Sequence, residues 1–276
     1  MKEVLFTKLF VGQSLDQIVR SANEIGIPGI DLLIRNGHQV EPGDPSGIAR
    51  AVKALEAGGL GVPMATTDAI DPNASDVVAV MQACADAGIE LVRLGYFPYE
   101  VERGYAACFE QARRHLDGLE RLAAQLGIRF AVQLHGDTLH GSGAQTLMLL
   151  QGHDPNTLTA YPDPGNQTVQ DGREDWRLTF DVLRPWLACV GMKNGGWFAG
   201  RHDSSGQRRW HSDWTALSEG MVPWDHIVAH LVATGYDGFL SFHSHYEVPF
   251  EQVIDQTRSD VNFIRACIAS ARERCR

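Results

Sequence analysis

Polar side chains able to do acid–base or electrostatic chemistry fall, in this chain of 276 residues, just behind short apolar runs. GIDLLI leads into Arg35, Asn36, Gly37 and His38; GVPMA leads into Thr66, Thr67 and Asp68; and Arg93 stands just before GYFPY. Further on, FAVQLHGD carries Gln133 and His135, YPDPGN carries Asp163, VGMKNGGW carries Lys193 and Asn194, and SFHSHYE carries His243 and His245. Gln133 and His135 are two residues apart, which places both on one face of an extended strand. An imidazole suits proton transfer because its ordinary pKa lies near the working pH. A Lys or Arg suits holding an oxygen on which negative charge develops.

Each of these residues also has a structural explanation. Strand-end histidines are commonly hydrogen-bonded parts of the framework, Arg93 could pair with Asp31 or Glu90, and Lys193 could be solvated at a loop start. Thr66 and Thr67 suit helix or turn caps. Trp197, Phe198, Trp210 and Trp214 could pack a long loop internally. What favours chemistry is the set: histidines, cations, amides and a threonine pair gathered at successive strand ends exceed what packing requires.

The elements that would position them repeat along the chain. An amphipathic helix ends at a glycine and a short β-branched run follows, as in SANEIGIPGIDLLI, KALEAGGLGVPMAT, ACADAGIELVRLG, LAAQLGIRFAVQL and LVATGYDGFLSFH. Gly26, Gly59, Gly88, Gly127 and Gly235 stand where a left-handed helix terminus is wanted. The runs are nearly continuous in apolar residues, as parallel strands covered on both faces should be. Strands are expected near 4–10, 29–34, 61–66, 90–94, 129–134, 158–162, 188–193 and 238–243, with helices between, among them 44–57, 75–87, 103–126, 224–234 and 249–272. This spacing predicts one (β/α)₈ TIM barrel domain over residues 1–276. A doubly wound sheet would normally offer a glycine-rich phosphate turn, and neither GxGxxG nor a Walker sequence is present. The long strand-to-helix connections, 135–143, 163–174 and 195–221, mark the working face.

With 44% hydrophobic and 21% charged residues the chain can bury a large core. A net charge of −10 and scattered basic residues disfavour nucleic acid as a partner. No apolar run reaches the roughly 18 residues of a membrane span or resembles the centre of a signal peptide, so a soluble cytoplasmic protein is expected. Cys84, Cys108, Cys189, Cys267 and Cys275 lack a CxxC pair and read as reduced thiols.

The ordered segments GIDLLIRNGHQVEP, GVPMATTDAIDP, LVRLGYFPY, DPNTLTAYPDPGN, VGMKNGGW and SEGMVPWDHIVAHLVATGYDGFLSFHSHYE resemble the sugar-phosphate isomerase/epimerase family of xylose-isomerase-like barrels, a group that includes apurinic endonuclease relatives. The likeness spans nearly the whole chain, and DPGN with the closing W…L…GYDG…S pattern carries it best. It implies a divalent cation such as Mn²⁺, held by a Glu, an Asp, a His and a second Glu on strands five to eight. Position by position these fall on Gln133, Asp163, Gly191 and His243, so only the Asp is kept. The family's Lys followed by Asp becomes Lys193 followed by Asn194. Fewer carboxylates weaken the attraction for a hard cation, and any residual site built from Asp163, His135 and His243 would lean toward Zn²⁺ or Ni²⁺.

The resemblance implies an isomerase, an epimerase or a related lyase acting on a sugar or polyol through an enediol. With the usual carboxylates gone, His135, His243 or His245 is the expected base, and Lys193, Arg35 or Arg93 the oxyanion holder. His135, His243 and Lys193 are thus expected to be catalytic, while Arg35, His38, Thr67, Arg93, Gln133, Trp197 and His245 are expected to bind substrate. The alternative is a carbohydrate-binding barrel that has lost catalysis; a nuclease is disfavoured by charge and by the missing ligands. A homo-oligomer is compatible with the sequence. The 195–221 connection is expected to form a partial lid with a mobile polar tip, DSSGQRR, and with Trp197 nearer the pocket than Trp210 or Trp214.

Overall fold

The structure, a computed structural model, describes residues 1–170, 174–244 and 248–275. Eight of its strands form one all-parallel sheet: β1 (Lys2–Phe6), β2 (Gly29–Leu33), β3 (Gly61–Thr66), β4 (Leu91–Arg93), β5 (Arg129–Gln133), β6 (Leu158–Tyr161), β7 (Cys189–Met192) and β10 (Phe239–Phe242). Their order is β6-β5-β4-β3-β2-β1-β10-β7, and the edge strands β6 and β7 meet through a parallel bridge, Ala160 to Leu187. The sheet thus curls into a nearly closed (β/α)₈ barrel. Helices α1 (Leu15–Ile25), α2 (Ser46–Ala57), α3 (Ser75–Asp86), α4 (Gly104–Leu126), α5 (Gly143–Leu150), α6 (Pro164–Val169), α7 (Trp176–Val182), α8 (Trp224–Ala233) and α9 (Phe250–Arg274) connect the strands.

Local chemistry explains where these elements begin and end. Ser14 and Ser142 each form a capping box, with Gln17 and Gln145 respectively, at the starts of α1 and α5. Gly26 and Gly127 close α1 and α4 at φ of 82° and 68°, a conformation in which a Cβ would be strained. All five glycines at the repeated joins have positive φ.

Side-chain alternation then separates the barrel interior into a dry floor and a polar mouth. Val4, Met64, Leu91, Ala131, Tyr161, Cys189 and Phe239 pack together inside the barrel. Two positions further along their strands stand Phe6, Thr66, Arg93, Gln133, Asp163, Gly191 and Ser241, and beyond the last two Lys193 and His243. The larger apolar cluster, which includes Leu5, Ile30, Leu32, Val92, Phe130 and Leu240, fills the space between sheet and helices.

One expectation needs correction. The first strand ends at Phe6 and not near residue 10, because Thr7–Phe10 turns into a 3₁₀ helix, with the Thr7 hydroxyl accepting from the Leu33 N–H at 2.8 Å. The 195–221 connection is a twisted antiparallel hairpin of β8 (Asn194–His202) and β9 (Arg208–Thr215), in which Asn194 pairs with Thr215. Its DSSGQRR tip makes a tight turn, where the Asp203 carboxylate accepts from the Ser205 and Gln207 N–H groups.

Candidate functional site

At the C-terminal ends of the barrel strands lies a cavity of about 470 Å³. Phe6 and Lys8, Arg35, Arg93, Gln133 and His135, Lys193, and His243 reach it from the strand ends. Tyr96, Asn166, Gln170 and Trp214 reach it from the connecting segments.

Lys193 lines the buried end of the cavity, and Asp163 stands behind it. The Asp163 carboxylate is wholly buried: Oδ2 accepts from the Lys193 ammonium at 2.9 Å and from the Gln133 amide at 2.7 Å, while Oδ1 accepts from the Asn166 N–H at 2.9 Å at the start of α6. Lys193 also donates to the Asn166 side-chain oxygen at 2.8 Å and lies 5.4 Å from the centre of the Trp214 ring. Burial pulls the Lys193 pKa down, and Asp163 opposes that pull. The DPGN segment makes this contact geometrically feasible, because a Cβ at Gly165 would overlap Lys193.

Arg93 is buried yet meets no carboxylate. It donates to the Thr67 and Leu94 carbonyls at 2.8 and 2.7 Å and to the Tyr96 hydroxyl at 3.1 Å, and its guanidinium carbon sits 4.5 Å from the Tyr96 ring centre. Tyr96 passes the chain on, donating to Gln133 Oε1 at 3.3 Å. Neither partner expected for Arg93 is bonded to it: Asp31 accepts from Thr66 and Ser241 at 2.8 and 2.9 Å, and Glu90 pairs with Lys2 at 3.2 Å. Arg35, in contrast, is held by Asp68, its Nε donating at 2.6 Å.

The two imidazoles that line the cavity are fixed differently. His135 Nδ1 lies 2.8 Å from the Gly136 carbonyl and Nε2 lies 3.1 Å from the Gln170 amide, while the ring packs on Tyr96 at 4.2 Å between centres. A carbonyl can only accept, so Nδ1 carries the proton and Nε2 takes the Gln170 N–H. Burial lowers the His135 pKa and favours that neutral form. His243 packs on Phe6 at 4.4 Å, and its Nε2 lies 2.6 Å from the Tyr161 hydroxyl and 3.1 Å from Ser241 Oγ. Complete burial pushes the Tyr161 phenol well above its ordinary pKa, so it stays protonated beside His243.

Several expected site residues lie elsewhere. Thr67 does not line the cavity; its hydroxyl donates to the Arg93 carbonyl at 3.1 Å and accepts from the Ala69 N–H at 3.3 Å, a turn cap. His38 belongs to the turn after β2, where its N–H donates to the Arg35 carbonyl at 3.1 Å, and it does not reach the cavity wall. Trp197 is exposed, with its indole N–H on the Thr168 carbonyl at 2.7 Å, and Trp214 is the indole that faces the pocket. His245 lies outside the described residues. Sequence reasoning passed over Lys8, Tyr96, Asn166, Gln170 and Trp214 as site residues. Lys8 had a signal, being in phase with Val4 and Phe6; the others come from loops, the short helix α6 and the hairpin, where no strand period points inward.

The donor set of the described residues does not fit a divalent cation. Every oxygen of Asp163 already accepts from an N–H or an ammonium, and Gln133 presents its NH₂ to that carboxylate. A side chain at Gly191, where the resemblance assigns a metal-binding His, would overlap the Asp163 carboxylate. Asp163, His135 and His243 do not assemble as the expected ligand triad, and no group of three His, Cys, Asp or Glu side chains suited to a metal occurs among the described residues.

The family profile described as xylose isomerase-like TIM barrel matches residues 19–267. The chain belongs to the xylose isomerase-like TIM barrel family. Solved structures of similar fold include an L-ribulose 3-epimerase, at TM-score 0.74 and 16% identity, over 100% of this chain and 97% of the other. A second is the probable 3-DHS dehydratase AsbF of petrobactin synthesis from Bacillus anthracis, at TM-score 0.67 and 18% identity, over 95% and 99%. A third is a xylose isomerase-like TIM barrel protein from Mycobacterium smegmatis in complex with magnesium, at TM-score 0.65 and 15% identity, over 92% and 89%. No curated protein matches this family member by sequence. At such identities the likenesses carry the xylose isomerase-like fold and nothing finer.

Proposed function

We propose that the cavity binds a sugar or polyol and moves a proton at a carbon beside a carbonyl, an isomerisation or epimerisation through an enediol. The observation that carries this reading is the meeting of two imidazoles, His135 and His243, with the buried ammonium of Lys193 around one cavity. The sugar epimerase activity named for a protein of similar fold supports the substrate class. Neutral His135 is ready to take a proton at Nε2 once the substrate displaces the Gln170 N–H. Negative charge then collects on the substrate oxygen, where Lys193, kept cationic by Asp163, stabilises it. A proton returned to the neighbouring carbon, with the hydroxyl proton passing from one enediol oxygen to the other, completes an isomerisation, and a proton given by His243 to the opposite face of the original carbon completes an epimerisation. Among the described residues the metal that the family implies has no fitting donors, so no step is assigned to one.

Loss of the family's carboxylates supports a second reading, a carbohydrate-binding barrel without turnover. A panel of ketoses separates the two. With activity present, His135→Ala and His243→Ala each lower kcat by about 100-fold or more while ligand still binds; full activity in both variants removes these residues from the mechanism. Calorimetry that shows sugar binding with no turnover, with or without Mn²⁺ or Zn²⁺, selects the binding reading.

A further inference from the structure

We infer that the sugar taken by this site carries an oxyanion, a phosphate or a carboxylate, and that Lys8 meets it. The inference rests on the carbohydrate reading of the cavity and adds a charge to that substrate.

The whole chain has 34 acidic against 24 basic residues, yet its cavity has the opposite character. Lys8, Arg35, Arg93 and Lys193 line it, and among the described residues no Asp or Glu does. Two of the four cations are matched at close range, Arg35 by Asp68 and Lys193 by Asp163. The other two are not. Arg93 spends its hydrogen bonds on neutral oxygens and leaves Nε buried without a partner, and Lys8 makes no hydrogen bond or ion pair among the described residues.

Like charges gathered in a partly desolvated pocket repel one another. Lys8 registers this: burial first, and then Lys193, Arg35 and Arg93, depress its pKa, against a smaller opposing pull from Asp68. A neutral polyol is recognised by hydroxyls, amides and an indole face, and gives nothing back for holding together two cations that no carboxylate among the described residues pairs at close range. A ligand oxyanion compensates them, and a low-dielectric cavity of one sign draws it in. The 3₁₀ turn Thr7–Phe10 places Lys8 at the mouth, while Lys193 and Asp163 lie at the buried end. The charged group therefore binds outward and the reacting carbons inward.

The test uses three ketohexoses that differ only at one terminal carbon: D-fructose, D-fructose 6-phosphate and D-fructuronate, titrated calorimetrically into the full chain at low and high salt. One of the anionic probes is expected to bind at least about tenfold tighter than fructose, more so at low salt, and its identity distinguishes phosphate from carboxylate. Lys8→Gln should weaken that probe about tenfold and fructose far less, with thermal midpoint and far-ultraviolet dichroism preserved. Fructose binding as tightly as both anions, or Lys8→Gln without effect on them, overturns the inference and leaves the carbohydrate reading standing. Inorganic phosphate binding while all three sugars fail overturns the carbohydrate reading instead, and the absence of any binding overturns both.

Discussion

His140 is sealed beneath the mouth of the barrel, its Nδ1 2.8 Å from the Gln133 carbonyl and its Nε2 accepting from the Phe97 N–H at 3.1 Å. Protonating it would cost the Phe97 bond and bury a charge, and burial pushes its pKa down from 6.5 to about 3. Between these values the unfolded chain binds a proton that the folded chain lacks, so His140 makes stability rise with pH, by up to roughly 1.4 kcal/mol per pH unit. Asp31 acts with the opposite sign. Burial raises its carboxyl from 3.8 to about 6 despite the Thr66 and Ser241 hydroxyls, so between those values the folded chain holds the extra proton and stability falls as pH rises. The two effects oppose each other where the windows overlap. Urea midpoints measured from about pH 4 to 7 should therefore rise more steeply with pH in Asp31→Asn than in wild type, and less steeply in His140→Gln. Identical profiles in all three proteins would show that neither group is perturbed by folding. Nothing in LHGDTLHGSG marks His140 as the structural histidine and His135 as the accessible one; depth of burial separates them.

At the scale of elements, the β8–β9 hairpin decides which aromatic residue serves the cavity. Trp214 stands opposite Gly195, one residue pair from the base formed by Asn194 and Thr215, whereas Trp197 pairs with Ser212 further out. Two strand residues carry a side chain about 7 Å along the ribbon, enough to move Trp197 off Lys193 and onto the Thr168 carbonyl. Closeness in sequence to Lys193 misleads here, because the second strand returns to the barrel and brings Trp214 back over the ammonium. Trp214→Ala is expected to weaken ligand binding by about 1 kcal/mol, roughly fivefold, through loss of the cation–π and stacking face. Trp197→Ala should leave affinity unchanged and lower the thermal midpoint. The reverse ranking in a calorimetric titration would show that the hairpin base is arranged differently. Asn194 is what anchors that base: its amide donates to the Leu217 and Val222 carbonyls at 2.8 and 3.2 Å and its oxygen accepts from the Gly195 and Val222 N–H groups, each at 2.8 Å.

Across the whole molecule the weakest join in the barrel is the seam between β6 and β7. Neighbouring strands elsewhere pair over three or four residues, whereas this seam has the single bridge of Ala160 with Leu187. Its N–H bonds run from Ala188 to the Ala160 carbonyl at 3.1 Å and from Gly191 to the Pro162 carbonyl at 2.9 Å. Pro162 has no N–H with which to return a bond. Amide exchange followed by NMR should find the Ala188 and Gly191 N–H groups opening at lower free energy than those of Leu32 and Leu33 in β2. Equal protection would mean that the seam opens only with the whole barrel. The Asp163–Lys193 pair bridges this seam, one partner just after β6 and the other just after β7, so the site's central ion pair also ties the barrel shut. No helix among the described residues is long and apolar enough to cross a membrane.

The sequence by itself determined the order of barrel strands and helices, the glycine joins and the phase of the polar strand ends, because periods of 2 and 3.6 and a left-handed helix terminus are local properties of the chain. Arg93, Gln133, His135, Lys193 and His243 were legible as cavity residues for that reason: each continues, at or just past a strand end, an inward-facing alternation. Tertiary structure alone decided which donor meets which acceptor. That Asp163 is satisfied by Lys193, Gln133 and the Asn166 N–H depends on three segments meeting at one point. The exclusion of Thr67, His38 and Trp197 from the cavity wall, and the entry of Lys8, Tyr96 and Trp214, depend on where turns and a hairpin bring the chain back. Such meetings are set by strand register and barrel closure, which join residues far apart in sequence and leave no period along the chain to read.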